Sequence, residues 1–487
     1  MKKWLFTFIV IIVASLFYSS CSDNNSFVAE NQVPTCSIIK PSENAIFIPD
    51  GDIEIDVQAT DLDGIINEVK LYFNNYNIGV DSLPPYEFVI STNSLVAGNY
   101  LIKAIAMDNC NSIAQDSLSI RIENQLNSFE TVYSTNEYDE GRSVIKTKDN
   151  GYAIFGYTSL NLYGEQDFLL IKVDSNGNIL WRNKYSSTAS ENGAAFVQTN
   201  DEEYVMAGMV YLASEQISNF MLIKADKSGK EIWKKIYKSM FNSYCLSIDL
   251  AKDGGFILCG EENGDFCLLK TDRDGNELWR KTYGGSLSER AYSVKATNDG
   301  GYITAGYTLS YGEGSFDWWL VKTDSQGNEE WNKTFGDGLT GEEAKDVQQT
   351  EDGGYIILGS TAEYPGNANI LLIKTDEFGN AVWQKSYGGI GAELGSNIQL
   401  TSDNGFIIIG STESYGLGGY DIWLIKTDNN GDIEWSRTFG TNYQDHGYST
   451  KQLNDYSFVL LGTSNSFGEL NNEIMLIKTD SLGYVKK

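Results

Sequence analysis

The stretch LVKTDSQGNEEWNKTFG, Leu320–Gly336, consists of two short alternating runs around a polar centre. Asp324 opens that centre and Gly327 follows three positions later. An aspartate accepts backbone hydrogen bonds and a glycine adopts positive φ, so the spacing predicts a tight hairpin turn. A calcium loop is the alternative, with TDRDGNE (Thr271–Glu277) the nearest match, but such a loop requires further oxygen ligands and a distal glutamate. The turn is therefore the favoured interpretation.

Related stretches recur through the chain at a period of about 52 residues. The most regular marker is a lysine, with an aspartate two positions after it, and it occurs at Lys172, Lys224, Lys270, Lys322, Lys374, Lys426 and Lys478. A tryptophan follows in six copies, at Trp181, Trp233, Trp279, Trp331, Trp383 and Trp435. Each copy contains four strand-like runs, and a four-stranded unit repeated seven times predicts a β-propeller. We expect the lysine and its aspartate to pair and the tryptophans to pack between blades.

The two ends of the repeat region predict how the ring closes. The seventh copy lacks its tryptophan strand, whereas FETVY (Phe129–Tyr133) precedes the first copy. Phe129 occupies the tryptophan position and Tyr133 the aromatic position four residues later. The sequence therefore predicts an all-β chain whose seven-bladed propeller, residues 129–487, is closed by this N-terminal strand.

Composition narrows the classes of function. The chain has 487 residues, a net charge of −30, 13% aromatic residues and 48 glycines. Many short strands joined by glycine turns fit this composition. A chain this acidic repels phosphate backbones, so we expect no nucleic-acid partner.

The N-terminus has the features of an export signal. Lys2 and Lys3 precede an apolar run that is too short for a comfortable membrane span, and Cys21 follows. The segment resembles a bacterial lipoprotein signal, with residues 1–20 as signal peptide and 21–33 as tether. The polar residues after Cys21 are similar to those of surface-exported Bacteroidetes lipoproteins. The resemblance implies lipidation of Cys21 and anchoring in the outer membrane, with surface exposure as one outcome, whereas secretion without lipid is the alternative.

Residues 34–123 contain short alternating strands separated by turn signals, which predicts an antiparallel β-sandwich. The Asp-x-Asp-Gly, Pro-Pro-Tyr and Ala-Gly-Asn-Tyr motifs resemble bacterial Ig-like modules appended to glycoside hydrolases, which are commonly spacers. In such a sandwich Cys36 and Cys110 can be neighbours, so we predict a disulfide between them. Asp61 and Asp63 are interpreted as an Asx-turn, with calcium as the alternative. Residues 124–128 form the linker.

The repeat region, with its Lys-x-Asp-x-x-Gly and Tyr-Gly-Gly signatures, resembles bacterial β-propeller repeats of secreted and surface proteins. The ligands of that family are too varied to assign one here. Function is therefore expected on the propeller face that carries the longer loops.

Two recurring residue types on that face are candidate ligand-binding groups. An acid stands at the same place in six of the seven copies, at Asp139, Glu191, Glu289, Glu342, Glu393 and Asp445, where Ser243 replaces it in the third. These acids are expected to ring the channel mouth, where they are candidates for binding a cation or a sugar. The favoured interpretation is that each carboxylate caps its own loop by accepting backbone hydrogen bonds. Loop tyrosines that could stack on sugar rings stand at Tyr163, Tyr311, Tyr364 and Tyr415, and the alternative is packing on their own blade.

The third copy carries three cysteines, Cys245, Cys259 and Cys267. Counting from the turns places Cys245 opposite Cys259 and Cys259 opposite Cys267. Buried small residues, or one disulfide and a free thiol, are favoured over a soft-metal site.

The chain contains one histidine, His446, and no nucleophile motif of the Gly-x-Ser-x-Gly type. These features argue against a catalytic triad or a histidine-rich zinc site. The resemblance to modules of glycoside hydrolases leaves a polysaccharide hydrolase of endoglucanase type, using paired carboxylates, as an alternative.

The leading hypothesis is an exported, lipid-anchored, monomeric binding or scaffold protein that presents its propeller face to a glycan or a surface protein. A structural adhesion role is a third hypothesis. No cofactor is expected, although the turn sequences leave calcium open.

Overall fold

A computed structural model describes residues 31–47, 52–92, 95, 98–122, 128–134, 137–160, 164–186, 189–313, 315–336, 343–363, 367–465 and 472–485. The residues predicted to form a signal peptide, and Cys21, lie outside these ranges. The chain divides into two compact units, Met1–Leu126 and Asn127–Lys487. In the described part of the chain, no helix has the length and apolar character needed to cross a membrane.

The first unit is a sandwich of two sheets. One sheet contains, in order, β1 (Thr35–Lys40), β3 (Asp52–Thr60) and β6 (Tyr86–Ser91). The other contains, in order, β2 (Ala45–Phe47), β8 (Ile113–Ile122), β7 (Gly98–Asp108), β4 (Ile66–Phe73) and β5 (Tyr76–Asp81). Alternate residues of the strands, such as Ile53 and Ile55, point into a shared apolar core because successive side chains of a strand face opposite ways.

Cys36 is a free thiol, so the predicted Cys36–Cys110 disulfide is wrong. Cys36 packs against the sandwich core and lies beside the backbone of Ala106, in the middle of β7. Cys110 lies beyond the end of β7, in the turn to β8, and is therefore displaced along the strand direction from Cys36.

The second unit consists of seven four-stranded antiparallel sheets, in the part of the chain that the structure describes. We number these sheets blades 1 to 7 in chain order. The first strands of the blades are β10 (Tyr138–Lys146), β14 (Ser190–Gln198), β18 (Ser243–Leu250), β22 (Glu289–Ala296), β26 (Glu343–Gln349), β30 (Glu393–Leu400) and β34 (Asp445–Gln452). The second strands are β11 (Tyr152–Ser159), β15 (Tyr204–Leu212), β19 (Phe256–Glu262), β23 (Tyr302–Thr308), β27 (Tyr355–Glu363), β31 (Phe406–Thr412) and β35 (Phe458–Ser464).

The remaining strands complete the blades. The third strands are β12 (Gln166–Val173), β16 (Ile217–Ala225), β20 (Asp265–Thr271), β24 (Asp317–Thr323), β28 (Asn367–Thr375), β32 (Asp421–Thr427) and β36 (Glu473–Thr479). The fourth strands of blades 1 to 6 are β13 (Ile179–Tyr185), β17 (Glu231–Tyr237), β21 (Glu277–Tyr283), β25 (Glu329–Phe335), β29 (Ala381–Tyr387) and β33 (Ile433–Phe439).

The ring closes as predicted. The fourth strand of blade 7 is β9 (Phe129–Tyr133), which pairs antiparallel with β36, with Phe129 opposite Lys478. The first strand of each blade contacts the first strand of the next blade, and β34 contacts β10. Both the all-β class and the closure by the N-terminal strand are therefore confirmed, and the first strands line a central channel.

The repeated tryptophan contacts the neighbouring blade, as expected. Trp279 of blade 3 packs against Gly327, in the turn between the third and fourth strands of blade 4. The same contact joins Trp181 to Gly229, Trp233 to Gly275, Trp331 to Gly379, Trp383 to Gly431, Trp435 to Gly483 and, across the closure, Phe129 to Gly177. Tyr133 adds a hydrogen bond from its hydroxyl to the Gly177 carbonyl oxygen, at 2.7 Å. The turn glycine is thus also the docking surface for the preceding blade.

The repeated aspartate of that turn acts as the hairpin interpretation predicts. Asp324 Oδ1 accepts hydrogen bonds from the amides of Gln326 (2.9 Å) and Asn328 (2.8 Å), and Gly327 has a φ of +74°. Because this carboxylate is engaged in the turn, it does not pair with Lys322 two positions earlier, and that expectation is wrong.

The repeated lysine instead forms an ion pair with an acid in the turn between the first two strands of its own blade. Lys322 Nζ lies 2.8 Å from Asp299 Oδ2 and donates to the Thr323 carbonyl oxygen at 3.0 Å. The equivalent pairs are Lys172–Asp149, Lys224–Glu203, Lys270–Asp253, Lys374–Asp352, Lys426–Asp403 and Lys478–Asp455. Each lysine therefore ties together both turns at the same end of its blade.

Candidate functional site

The acids predicted to ring the channel mouth are buried, so that prediction is wrong. Asp139, Glu191, Glu289, Glu393 and Asp445 have no exposed surface, and Glu342 lies outside the described residues. In blade 4, Glu289 Oε1 accepts from Thr308 Oγ1 (3.0 Å) and the Ser310 amide (3.1 Å), and Oε2 accepts from the Gly285 amide (3.1 Å). The carboxylate therefore joins two loops of the same face, which is the capping alternative.

Glu393 repeats this arrangement in blade 6, where it accepts from Thr412 Oγ1 and from the amides of Ser414 and Gly389. In blade 7, Asp445 Oδ2 accepts from the Thr441 amide at 2.8 Å. A carboxylate buried among such donors is part of the framework rather than a group offered to a ligand.

The loop tyrosines that the structure describes pack on their own blades. Tyr311 and Tyr415 are 43% and 44% exposed, and their rings lie against Trp319 and Trp423, with centroids 5.3 and 5.1 Å apart. Their hydroxyls donate to the carbonyl oxygens of glycines in the preceding inter-blade loop. Tyr163 and Tyr364 lie outside the described residues. Tyr311 and Tyr415 therefore hold loops together, although each keeps part of its ring exposed.

The three cysteines of blade 3 are buried free thiols, and the register predicted for them is wrong. Cys245 and Cys267 both pair with Gly260, whereas Cys259 pairs with Ser247 and Leu268 and faces the other side of the sheet. The lengths of the two turns set this register: the strand pairs begin at Leu250–Phe256 and at Glu262–Asp265, which brings Cys259 opposite Ser247 and Leu268. Among the described residues, no cluster of three or more His, Cys, Asp and Glu side chains is placed to hold a metal ion.

Seven residues that the sequence analysis missed line the middle of the channel. Each first strand has a β-bulge at the same position, and bulges redirect the extra side chain. The bulge residues are Arg142, Ala194, Leu246, Tyr292, Lys345, Ser396 and Tyr448, and we call them the bulge ring. Unlike the framework residues, they differ from blade to blade. Variation at one position of an otherwise constant repeat is the sequence feature that could have identified these residues as functional candidates.

The bulge ring forms the floor of a cavity on the long-loop face, which we call the cup. Its volume is about 720 Å³, and its wall includes Asn192, Phe316, Glu343, Ser360 and Leu394. A second cavity of about 490 Å³ continues from the bulge ring toward the opposite face. The cup is thus lined by aromatic rings, hydroxyls, an amide and charged groups.

The charged groups of the cup are paired and held against tyrosine rings. Arg142 Nη2 lies 2.5 Å from Glu140 Oε1, and the Arg142 guanidinium carbon lies 4.9 Å from the centroid of the Tyr448 ring. Burial, followed by the charge of Glu140, raises the pKa of Tyr448 to about 12, so its hydroxyl stays protonated. Lys345 pairs with Glu343 and lies 3.8 Å from the centroid of Tyr292. These contacts fix the rings before any ligand arrives.

His446 lies near the mouth of the channel, beside Tyr420 and Tyr448. Its Nδ1 lies 3.2 Å from Ser411 Oγ. Burial lowers the pKa of His446, so the ring is neutral at physiological pH.

Comparison with known proteins supports the two kinds of domain. Residues 34–104 match the family of bacterial Ig domains, whose members are characteristic of extracellular and surface proteins. A fibronectin(III)-like module of CbhA from Clostridium thermocellum is similar at 28% identity over 18% of this chain and 97% of its own, with a TM-score of 0.17. No curated protein matches the chain.

Two solved structures align with the repeat region. A quinoprotein alcohol dehydrogenase-like protein from Bacteroides thetaiotaomicron is 10% identical over 72% of this chain and 96% of its own, with a TM-score of 0.28. The β-propeller domain of the Trilobed protease from Pyrococcus furiosus is 9% identical over 73% and 100%, with a TM-score of 0.41. The family match and the strand topology of the two units make the chain an Ig-like domain followed by a β-propeller. No ligand is carried over from these proteins.

Proposed function

We propose that this protein is an exported, lipid-anchored binding protein whose propeller holds a glycan in the cup. The observation that carries the proposal is the bulge ring, where one repeated position bears six different residue types in seven blades. A site of this kind distinguishes the parts of an asymmetric ligand, which the repeated framework residues do not.

The chemistry of the cup favours a glycan. Tyrosine and phenylalanine rings can stack on the apolar faces of sugar rings. Sugar hydroxyl groups can form hydrogen bonds with Asn192, Ser360 and the Arg142–Glu140 pair. A volume of about 720 Å³ is in the usual range for small-molecule sites. The five framework acids that the structure describes are buried, which favours binding over the hydrolase alternative.

The test is binding to a panel of oligosaccharides, followed by titration calorimetry with the strongest ligand. We expect Tyr292→Ala and Tyr448→Ala each to weaken binding about tenfold or more, because stacking area is lost. Tyr292→Phe, which keeps the ring, should bind nearly as well as the wild type. Tyr311→Ala and Tyr415→Ala are matched controls outside the cup.

Loss of binding only in the Tyr311 and Tyr415 variants would mean that the binding site lies on the loops and not in the cup. New reducing ends would favour the hydrolase, and a panel without any ligand would favour a protein partner or adhesion. The anchor is tested separately: Cys21→Ala should release the protein from the membrane fraction.

A further inference from the structure

Below the bulge ring, a second ring of first-strand side chains narrows the channel. This lower ring consists of Ile145, Val197, Asp249, Lys295, Gln348, Gln399 and Lys451. Two lysines, from blades 4 and 7, therefore face one channel in a protein whose net charge is −30.

Lys295 has unused hydrogen-bonding capacity. Among the described residues, its ammonium has no ion pair within 4.0 Å and no hydrogen bond. Burial disfavours its charge, but the nearby carboxylates of Asp346 and Asp249 outweigh burial and raise the pKa of Lys295. The lysine is therefore charged.

The carboxylates near Lys295 are satisfied by other donors. Asp346 Oδ1 accepts from Ser293 Oγ (2.7 Å), and Oδ2 accepts from Asn397 Nδ2 (2.6 Å) and the Ile398 amide (3.1 Å). Asp249 Oδ2 accepts from the Ala296 amide at 2.9 Å. The carboxylates of Asp346 and Asp249 thus accept hydrogen bonds from the channel wall, whereas the ammonium groups of the two lysines keep N–H groups without an acceptor among the described residues.

Lys451 is held in place by one neutral partner. Its Nζ donates to Gln399 Oε1 at 2.6 Å, which leaves two N–H groups for another acceptor. Burial, followed by the like charge of Lys295, outweighs the nearby carboxylates of Asp346 and Asp249 and lowers the pKa of Lys451 to about 8. An anion between the two lysines would relieve this repulsion.

We propose that the lower ring binds an oxyanion, a carboxylate, sulfate or phosphate group, between Lys295 and Lys451. The side-chain amides of Gln348 and Gln399 lie at the same level. Each uses one N–H, to Asp346 Oδ2 (3.5 Å) and to the Ile398 carbonyl oxygen (2.8 Å), and keeps the second N–H as a further donor. The cavity of about 490 Å³ joins the bulge ring to both lysines, so a ligand held in the cup reaches them. The part of this inference that concerns a glycan rests on the proposed function. It specifies that the glycan bound in the cup is an acidic one.

The test compares four probes by titration calorimetry at low ionic strength: tetragalacturonate, its methyl ester, sodium sulfate and sodium phosphate. Lys295→Met and Lys451→Met remove a charge and keep the apolar stem. Lys385→Met, in a surface ion pair with Asp432 on the outside of the propeller, is the control for net charge. Melting temperatures verify that all variants fold.

We expect tetragalacturonate to bind more than tenfold tighter than its ester, and each channel variant to abolish that preference while Lys385→Met retains it. Binding should weaken above pH 8, as Lys451 loses its proton. Binding of sulfate or phosphate that depends on both lysines would support the oxyanion site with a free anion as its source. Equal binding of acid and ester, lost in Tyr292→Ala alone, would overturn this inference and leave the proposed function standing. Absence of binding by all four probes would also overturn it.

Discussion

At the residue scale, one position of the repeat carries a carboxylate in some blades and an amide in others. The first residue of the third strand is Asp421 in blade 6, and the residue at this register is Asn219 in blade 2 and Asn369 in blade 5. Asp421 is 2% exposed, and burial, followed by the charge of Asp445, raises its pKa to about 6. An ionised carboxylate is therefore tolerated here but not required by the fold.

Asp421→Asn is expected to stabilise the propeller above pH 6. The native state binds the Asp421 proton more tightly than the unfolded state, so this group lowers stability as pH rises from about 4 to 6. The advantage of the variant in the free energy of unfolding should grow by about 1 kcal/mol between pH 5 and pH 8. Denaturant titrations at the two pH values measure it, with Asp274→Asn, at an exposed turn residue, as control. An advantage independent of pH would contradict the assignment.

At the element scale, the hairpin turn between the third and fourth strands has two roles. Its glycine adopts positive φ, and its Cα hydrogen faces the tryptophan of the preceding blade. A β-carbon on Gly327 would lie 2.7 Å from the Trp279 ring, whereas one on Gly300 would have no atom within 4 Å. Both glycines have positive φ, at +74° and +90°, so they differ mainly in this contact.

Gly327→Ala is therefore expected to destabilise the protein more than Gly300→Ala. Both variants carry the backbone penalty of about 1–2 kcal/mol, and only the first must displace an aromatic ring, at a further 1–3 kcal/mol. Chemical denaturation and the fluorescence of Trp279 measure the difference. Equal losses in the two variants would mean that the turn and the tryptophan do not constrain each other.

At the scale of the whole molecule, five residues complete the ring. β9 pairs with β36, Phe129 packs on Gly177 of blade 1, and the Tyr133 hydroxyl binds the same glycine. Blade 7 is the one blade among the described residues whose strands come from both ends of the repeat region. Closure thus links blade 7 to blade 1 through a strand that is adjacent in sequence to blade 1 and distant in sequence from the other strands of blade 7.

Phe129→Ala should open this closure preferentially. Truncating a packed aromatic residue costs about 3–5 kcal/mol. We expect faster amide exchange in β9 and β36, and exchange in blades 3 and 4 close to that of the wild type. Trp331→Ala, the same kind of truncation within a continuous blade, is the control and should affect blades 4 and 5 instead. Protection of β9 that survives Phe129→Ala would contradict the role of this contact.

Sequence alone determined the architecture, because each repeat carries its own strand periodicity, turn chemistry and tryptophan, and because FETVY supplies the missing strand. These signals are local, so spacing suffices to read them. Only the tertiary structure decided which side chains face the channel, because a single bulge in each first strand shifts the register by one residue. The bulges put Tyr292 and Lys345 in the cup. Glu289 and its equivalents, which precede the bulges, are buried because donors from two separate loops meet at the carboxylate. The pairing of Lys322 with Asp299 likewise depends on two turns that meet only in the folded blade.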